Sequence, residues 1–290
     1  MGETWGDGDQ FLCPGAKPAH EVCVSSFYLN RYEVTALQYA GFLNAIDTGD
    51  TGIFAISGAV IKYRGMPLAD TSKGTWFISR VNDSFVVDAG RENYPALCLY
   101  WHGAAAYCNW LGANAQLLGL DTGALDACYD SLWRCNFSKN GYRLPTEAEY
   151  EYAASMTAGG VKQRFPWGYG WDASKAAVGG KAVEPVGSYV AYEGLFDMIG
   201  NAMEYVNDWS DYLVGLYLDS SQYYVSCRQQ GVVKDPAGPQ YRGINMHMMR
   251  GGSFASYKNE SVVYSRFIYP QDKRMTEYGF RVARGVKKGK

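Results

Sequence analysis

The sequence predicts a single α+β domain in which a large share of the chain is irregular loop. Helical spacing occurs in three segments, all before residue 156, whereas the later segments are short and separated by turns. A globule of 290 residues buries roughly 75% of its unfolded surface, so its core needs no disulfide or metal to hold it together. We therefore expect one domain over residues 1–290, without a second one.

The first predicted helix lies in the stretch FYLNRYEVTALQYAGFLNAI, after a short alternating strand. The alternation changes to helical spacing at Thr35, and Thr35 with Gln38 three residues later makes a capping box. The apolar residues expected to share the buried face of this helix are Leu37, Ala40, Leu43 and Ile46.

Two further helices are predicted before residue 156. The stretch YPALCLYWHGAAAYCNWLG indicates a helix that runs to about Leu111 and ends at Gly112. The stretch YRLPTEAEYEYAAS indicates a helix with a capping box made by Thr146 and Glu149. Three segments are interpreted as loop insertions: residues 48–93, 113–140 and 210–245. The first insertion is rich in Gly and Asp and has short β-like pieces, so we expect strands and turns there.

Charge and hydropathy exclude two classes of partner. The 27 basic and 29 acidic residues nearly cancel, and no basic run precedes the last few residues, so no nucleic-acid partner is expected. No apolar run of the length that spans a membrane is present. The N-terminus lacks a basic region followed by an apolar one, so no signal peptide is recognised. The default expectation is a cytoplasmic protein, with export or surface display left open.

Cysteine and histidine are too few and too scattered for a zinc site or a disulfide framework. There are seven cysteines without CxxC spacing and three histidines. Cys98 and Cys108 lie among apolar residues and are predicted to be small core side chains. Cys128 and Cys135 are close enough in sequence to pair within one loop, and the sequence leaves their redox state open.

A series of phrases along the chain resembles the formylglycine-generating enzyme (sulfatase-modifying factor) family. In order they are YEVTALQYAGFLNA, YPALCLYWHGAAAYCNWLG, YRLPTEAEYEYAA, FPWG, PVGSY, GLFDMIGNAMEYVNDW, RGGSF and GFRVAR. The resemblance covers residues 27–284 and implies a variant of the C-type lectin fold, with long loops and little regular structure. A fold by itself does not give a function.

The copper chemistry of that family is not expected here. The resemblance implies an oxidase whose copper ion is held by two cysteines shortly after RGGS, and the matching positions in this chain are Ser256 and Ser261. Cu(I) prefers soft thiolate ligands, whereas a seryl oxygen is hard and stays protonated at neutral pH. We therefore expect no copper and no enzyme activity.

The resemblance also implies a calcium site at the phrase DMIGNAME. The matching roles fall on a first side chain, two backbone carbonyls and a final carboxylate: Asp197, Gly200, Ala202 and Glu204. Hard oxygen donors on such a turn suit calcium. In the alternative, Asp197 and Glu204 only cap turns and orient Asn201.

The end of the chain resembles a second group, the variable proteins of diversity-generating retroelements. These proteins keep a fixed frame and rewrite the residues within it, and the frame is present here as residues 250–253, 266, 270, 274 and 279–281. We interpret Arg266, Arg274 and Arg281 as structural parts of that frame. The candidate ligand-binding residues are Tyr257, Asn259, Tyr264, Phe267, Ile268, Tyr269, Gln271, Asp272, Lys273, Met275, Thr276 and Glu277.

The pattern within the frame supports a surface location. The run FIYPQDKRMTEY neither alternates like an edge strand nor stays apolar like a buried one. A packed core restricts volume and polarity tightly, so such a mixture fits an exposed surface. Exposed aromatic residues at 257, 264, 267 and 269, with Ile268, would then form an apolar patch of the kind that marks an interaction site. In the alternative, these are ordinary loop residues with some rings buried.

These observations predict a non-catalytic protein whose segment 250–284 displays a diversified recognition surface. The expected partner is a protein or another macromolecular ligand, because 24 tyrosines against 12 phenylalanines favour rings at surfaces. Two alternatives stay open: another non-catalytic family member that binds a glycan or assembles with a protein, and a copper-dependent formylglycine-generating oxidase.

Overall fold

The computed structural model describes residues 1, 19–47, 52–210, 222–239, 246–270 and 276–286. The helices are α1 (Ala36–Ile46), α2 (Trp101–Ala113), α3 (Glu147–Ser155) and α4 (Gln222–Gln230). The strands are β1 (Val22–Cys23), β2 (Phe27–Leu29), β3 (Phe54–Ser57), β4 (Val60–Tyr63), β5 (Met66–Asp70), β6 (Ile78–Val81), β7 (Ser84–Val87), β8 (Met203–Trp209), β9 (Val233–Lys234), β10 (Met246–Arg250), β11 (Phe267–Pro270), β12 (Tyr278–Gly279) and β13 (Ala283–Gly285). The predicted α+β class, with much irregular loop, is confirmed.

A four-stranded sheet in the order β11-β10-β8-β12 forms the centre of the fold. Strand β10 runs antiparallel to both β11 and β8, and β12 pairs in parallel with β8. Both inner strands are buried almost throughout, so neither shows the alternation of a half-exposed strand. Two smaller pairings lie outside this sheet. Strand β13 pairs with β2, and β9 pairs with β1.

Helix α1 begins where the sequence predicts, and three of the four residues predicted for its buried face, Ala40, Leu43 and Ile46, are buried. The capping box of Thr35 and Gln38 is formed in both directions. Leu37 was expected inside, yet 54% of its surface is exposed, so that expectation is wrong. The buried face instead includes Tyr39 and Phe42, whose rings pack against Tyr107 of α2 at centroid distances of 6.0 Å and 5.6 Å. The larger aromatic rings determine how the helix is rotated, since they bury more apolar area.

Helix α2 continues past the predicted stop at Gly112 and ends at Ala113. The N–H of Asn114 still donates to the carbonyl of Trp110, and a single glycine near the end of a helix is tolerated. Glycine is needed earlier, at Gly103, where an added Cβ would lie 2.3 Å from the carbonyl oxygen of Leu68. Helix α2 therefore packs directly on the backbone of β5.

The three predicted insertions differ in structure. Residues 48–93 contain the sheet β3-β4-β5 and the hairpin β6-β7, as expected, but Ile61, Leu68 and Ala69 are fully buried, so this segment is part of the main core. Residues 113–140 are irregular beyond the end of α2, as predicted. The described part of 210–245 was expected to be loop, and it contains α4 and β9 instead.

Two further observations concern the cysteines and the possibility of a membrane-spanning helix. Cys98 and Cys108 are buried in the main core, as predicted, and Cys128 and Cys135 are free thiols. Across the described ranges, none of the helices has the length and apolar character needed to cross a membrane.

Candidate functional site

The C-terminal segment follows the end of β10 through a tight glycine turn. Gly251 and Gly252 have φ angles of +87° and +69°, which an L side chain rarely adopts. A Cβ on Gly251 would also lie 2.6 Å from the Tyr150 hydroxyl. The RGGS phrase is thus required by the backbone geometry of this turn.

Two frame arginines lie in a buried network with the acidic face of α3. Arg250 donates to Glu147 at 3.2 Å and to Glu151 at 2.8 Å, and Arg266 also contacts Glu147. Burial alone would raise the pKa of Glu151, but the nearby charges of Lys162 and Arg250 hold that pKa well below its ordinary value. The two arginines therefore hold both ends of the loop between β10 and β11 against α3.

The third described frame arginine, Arg281, makes a bidentate pair with Glu204 on β8. Its Nε and Nη2 lie 2.6 Å and 2.7 Å from the two carboxylate oxygens, and both side chains are fully buried. Nη2 also donates to the carbonyl of Phe196 at 3.0 Å. The structural interpretation of Arg266 and Arg281 is confirmed; Arg274 lies outside the described residues.

The loop between β10 and β11 exposes two of the predicted ligand-binding residues. Tyr257 is 71% exposed, and Asn259 is exposed beside it. The backbone N–H of Tyr257 donates to the carboxylate of Glu260 at 2.9 Å, which fixes the turn from which the ring projects. This loop presents an aromatic ring and an amide to solvent.

Tyr264 is fully buried, so the prediction that it is exposed is wrong. Together with Val262 and Val263 it belongs to a second apolar cluster that also contains Tyr150 and Phe165. The sequence VVY thus lies within a longer buried run, residues 261–266. Packing against other segments, including Tyr150 and Phe165 about 100 positions earlier in the chain, decides this burial, and no local pattern reveals it.

Strand β11 carries the next candidates. Phe267 is partly buried against the main core, and Ile268 is partly buried against the second cluster, because alternate residues of a strand point to opposite faces. The backbone of Tyr269 pairs with His247 of β10. Gln271, Asp272, Lys273 and Met275 were also predicted to bind ligand, and they lie outside the described residues.

Thr276 and Glu277 are half-buried and anchored to fixed parts of the fold. The hydroxyl of Thr75 donates to the carbonyl of Thr276, and the hydroxyl of Ser253 donates to the carboxylate of Glu277 at 2.6 Å. The side chain of Glu277 is therefore held by a frame residue, although it was predicted to be a ligand contact.

The two serines that the resemblance matched to the family's copper ligands lie side by side. Their hydroxyl oxygens are 3.4 Å (Ser256) and 3.1 Å (Ser261) from the place that a Cβ on Gly252 would take. Ser256 accepts the N–H of Ser253 at 3.0 Å, and Ser261 donates to the carbonyl of Tyr257 at 3.0 Å. The pair is a neutral hydrogen-bonding unit that closes the loop.

Three of the predicted calcium residues precede β8, in a turn that contains left-handed backbone, and the fourth, Glu204, lies in β8. Asp197 and Gly200 have φ angles of +53° and +81°, and the Asp197 carboxylate accepts the N–H of Gly187 at 2.6 Å. Both oxygens of Glu204 accept from Arg281. Within the described ranges, no three His, Cys, Asp or Glu side chains converge as metal ligands. A calcium ion here would thus depend on the carbonyls of Gly200 and Ala202.

Sequence reasoning missed Glu33, a third carboxylate in this region. It is fully buried and accepts from the side chain of Asn201 and from the N–H of Ala202, both at 3.2 Å. Burial first, and then the charge of Asp197, raise the pKa of Glu33 well above its ordinary value. Its position in the phrase YEVT, within the matched motifs, was the available signal.

The charges around this turn are unbalanced, since three buried carboxylates share one guanidinium. Glu33, Asp197 and Glu204 lie with Arg281, and burial raises the pKa of Asp197 as well. A raised pKa favours the protonated carboxyl, so protons offset part of the negative charge here, and a divalent cation that prefers oxygen ligands would act in the same way. The side-chain donors here are oxygens, the ligand type that calcium takes, and Glu33 accepts from the Asn201 amide.

Known proteins resemble this chain over most of its length. It is 29% identical over 272 residues to a serine/threonine-protein kinase pkn1 of Chlamydia caviae, covering 93% of this chain and 35% of the kinase, so it spans about a third of that relative. It is 26% identical over 315 residues to a formylglycine-generating enzyme of Streptomyces coelicolor, covering 98% of this chain and 85% of the enzyme.

The fold has a solved counterpart in Treponema denticola variable protein 1. The TM-score is 0.58 at 23% identity, with 92% of this chain and 87% of that chain covered. At this identity the likeness concerns the fold, which confirms the predicted C-type-lectin-like fold of the formylglycine-generating enzyme type. The family described as the sulfatase-modifying factor enzyme 1-like domain matches residues 1–286. The glycine turn, the buried arginine pairs and this match together show that the chain belongs to the sulfatase-modifying factor enzyme 1-like family.

Proposed function

We propose that this chain is a non-catalytic member of its family that presents a diversified recognition surface to a protein or another macromolecule. The observation that carries the proposal is the contrast within the C-terminal segment. The frame residues Arg250, Arg266 and Arg281 are buried in ion pairs, while Tyr257 and Asn259 between them face solvent. Side chains that contribute little to the core can change without loss of the fold.

The serine pair supports the non-catalytic part of the proposal. Ser256 and Ser261 meet at the position where the family's oxidases hold copper, but they offer hydroxyl oxygens in place of thiolates. Hydroxyl groups do not match the preference of Cu(I) for soft ligands. The likeness to a Treponema variable protein in fold supports the recognition role.

Sequencing codons 143–290 of this gene across a natural population tests the proposal. We expect changes to concentrate at codons 257, 259, 267–269, 271–273 and 275–277, with lower frequency at Glu277 because of its bond to Ser253. Codons for Tyr264, Arg250, Arg266 and Arg281 are expected to stay fixed, because these side chains are buried. The codon for Arg274, the remaining frame arginine, is expected to stay fixed with them.

Codons 143–156, which encode α3 and its capping box, serve as the internal control and are expected to show no excess of changes. A uniform sequence over 257–277, or changes spread evenly over frame and loop, would remove the proposal. In that case glycan binding becomes the next function to test, by screening sugars against the wild-type protein.

Calcium is proposed as a structural ion at Asp197 and Glu204 with the carbonyls of Gly200 and Ala202. Calcium at about 100 times its dissociation constant is expected to raise the free energy of unfolding by roughly 2.7 kcal/mol, because it binds only the folded state. Thermal unfolding with calcium, with magnesium and with a chelator measures this effect. Asp197→Asn is expected to reduce the calcium response, and an identical melting temperature in all three solutions would contradict the proposal.

A further inference from the structure

A cavity of about 400 Å³ lies between α1, α2, the turn after β4 and the loop 127–133. Its walls are largely aromatic: Phe42, Tyr63, Trp110, Tyr129 and Trp133. The turn after β4 and the loop 127–133 lie in two of the segments that the sequence analysis interpreted as insertions. The cavity is thus built by parts of the chain that lie mostly between the family motifs.

Each of the two indole rings that line the cavity contacts a further aromatic ring. Trp110 lies 5.6 Å from Phe42, and Trp133 lies edge-on to His102 at 5.3 Å. Trp133 has a φ of +62°, a left-handed conformation that a bulky side chain rarely adopts. Such strain persists only where surrounding contacts impose it, and it is concentrated at ligand sites. The N–H of Trp133 donates to the carbonyl of Asp130 at 3.0 Å, which helps to hold this conformation.

Arg64 supplies an available positive charge at the edge of the cavity. Its guanidinium lies 5.3 Å from the ring of Tyr63, and its backbone is held at φ +48° by a bond from its N–H to the carbonyl of Ile53. No carboxylate in the described part of the chain pairs with it, although Arg64 is exposed and lines the cavity.

The other polar groups of the cavity are largely engaged. The Asp130 carboxylate accepts from the backbone and side chain of Arg134 and from the N–H of Leu132. The Asn109 amide bonds the backbone of Tyr129 in both directions, at 2.8 Å and 3.0 Å. His102, behind Trp133, is neutral at physiological pH, since burial lowers its pKa to about 4. Among the described residues, the site therefore offers apolar ring faces and the available cation of Arg64.

We propose that this cavity binds a small molecule that combines one flat apolar ring with a carboxylate. The ring would lie among the aromatic walls that include Trp110 and Trp133, and the carboxylate would pair with the guanidinium of Arg64. The volume falls within the range of small-ligand pockets, which are mostly apolar with few polar groups. This site is separate from the recognition loop and does not depend on the function proposed for that loop.

Calorimetric titration with 3-phenylpropionate and its neutral analogue 3-phenylpropan-1-ol tests the proposal. The acid is expected to bind saturably to the wild-type protein and more tightly than the alcohol. Arg64→Gln is expected to weaken binding of the acid about tenfold, a loss of about 1.4 kcal/mol. The same variant is expected to change the affinity for the alcohol by less than about twofold. Arg228→Gln on α4, an exposed arginine away from the cavity, is the matched control and is expected to change neither ligand.

Trp133→Leu is expected to weaken both ligands, because it removes an aromatic wall. If this variant loses its fold, the indole N–H signals of Trp110 and Trp133 in the wild-type NMR spectrum provide the same test through ligand-induced shifts. Absence of saturable binding by the acid would overturn the proposal. So would an Arg64→Gln variant that binds the acid as tightly as wild type does.

Discussion

Replacing Arg281 by Met is expected to lower the free energy of unfolding by about 3–5 kcal/mol, the usual loss when one partner of a buried ion pair is removed. The change leaves the Glu204 carboxylate fully buried without its guanidinium, and Glu33 and Asp197 lie close enough to add repulsion. Because domains are only marginally stable, a loss of this size removes a large part of the total. Denaturant unfolding followed by fluorescence measures it.

Three further variants separate charge loss from side-chain loss. Arg281→Lys keeps the charge but cannot form the bidentate pair. Its free energy of unfolding is therefore expected to lie between those of the wild-type protein and Arg281→Met. Replacing Glu204 and Arg281 together by Met is expected to recover part of the stability, because no buried charge is then left alone. Arg228→Met, on the exposed face of α4, is the matched control and is expected to change stability little. A loss of less than 1 kcal/mol for Arg281→Met would contradict the importance of this pair.

Replacing Ser256 and Ser261 together by Cys is expected to create a Cu(I) site that the wild-type protein lacks. The two hydroxyl oxygens already lie within 3.4 Å of one point beside Gly252, so two thiolates placed there would be close to each other. Thiolates are the ligands that Cu(I) prefers, whereas seryl oxygens are not. Competition with a chromophoric Cu(I) chelator measures the change in affinity.

The single variants Ser256→Cys and Ser261→Cys are the controls, each with one soft ligand, and are expected to bind Cu(I) much more weakly than the double variant. The wild-type protein accounts for the existing thiols, including the exposed Cys23. Equal binding by the single and double variants would show that the two positions do not act together. Oxygen consumption by the wild-type protein with copper and a cysteine peptide is expected to be absent, and turnover would contradict the non-catalytic proposal.

Local signals in the sequence were sufficient for the helix starts. The capping boxes at Thr35 and Thr146 depend on residues three positions apart, so the sequence contains both partners of each bond. The rotation of α1 about its axis could not be predicted from such short spacings. It depends on rings of α2 more than 60 positions further along the chain, and Leu37 is exposed as a result.

The candidate recognition surface also has some features that local sequence predicts and others that depend on distant contacts. The exposure of Tyr257 agrees with the predicted recognition surface, whereas Tyr264, which was predicted to belong to the same surface, is fully buried. Its partners in the second apolar cluster, such as Tyr150 and Phe165, are distant in sequence. The calcium residues were assigned from a contiguous phrase, and Glu33 was missed because it reaches Asn201 from 168 positions away.

The sequence by itself determined the family, the mixed α+β class and the starts of the two helices with capping boxes, α1 and α3. These properties depend on residue identity and on short spacings, which are explicit in the chain. Only the tertiary structure decided which residues of the C-terminal segment face solvent, how Arg250 and Arg281 are neutralised, and that two insertions enclose a cavity beside Arg64. Burial and ion pairing of this kind are set by contacts between distant segments, and those contacts exist only once the chain has folded.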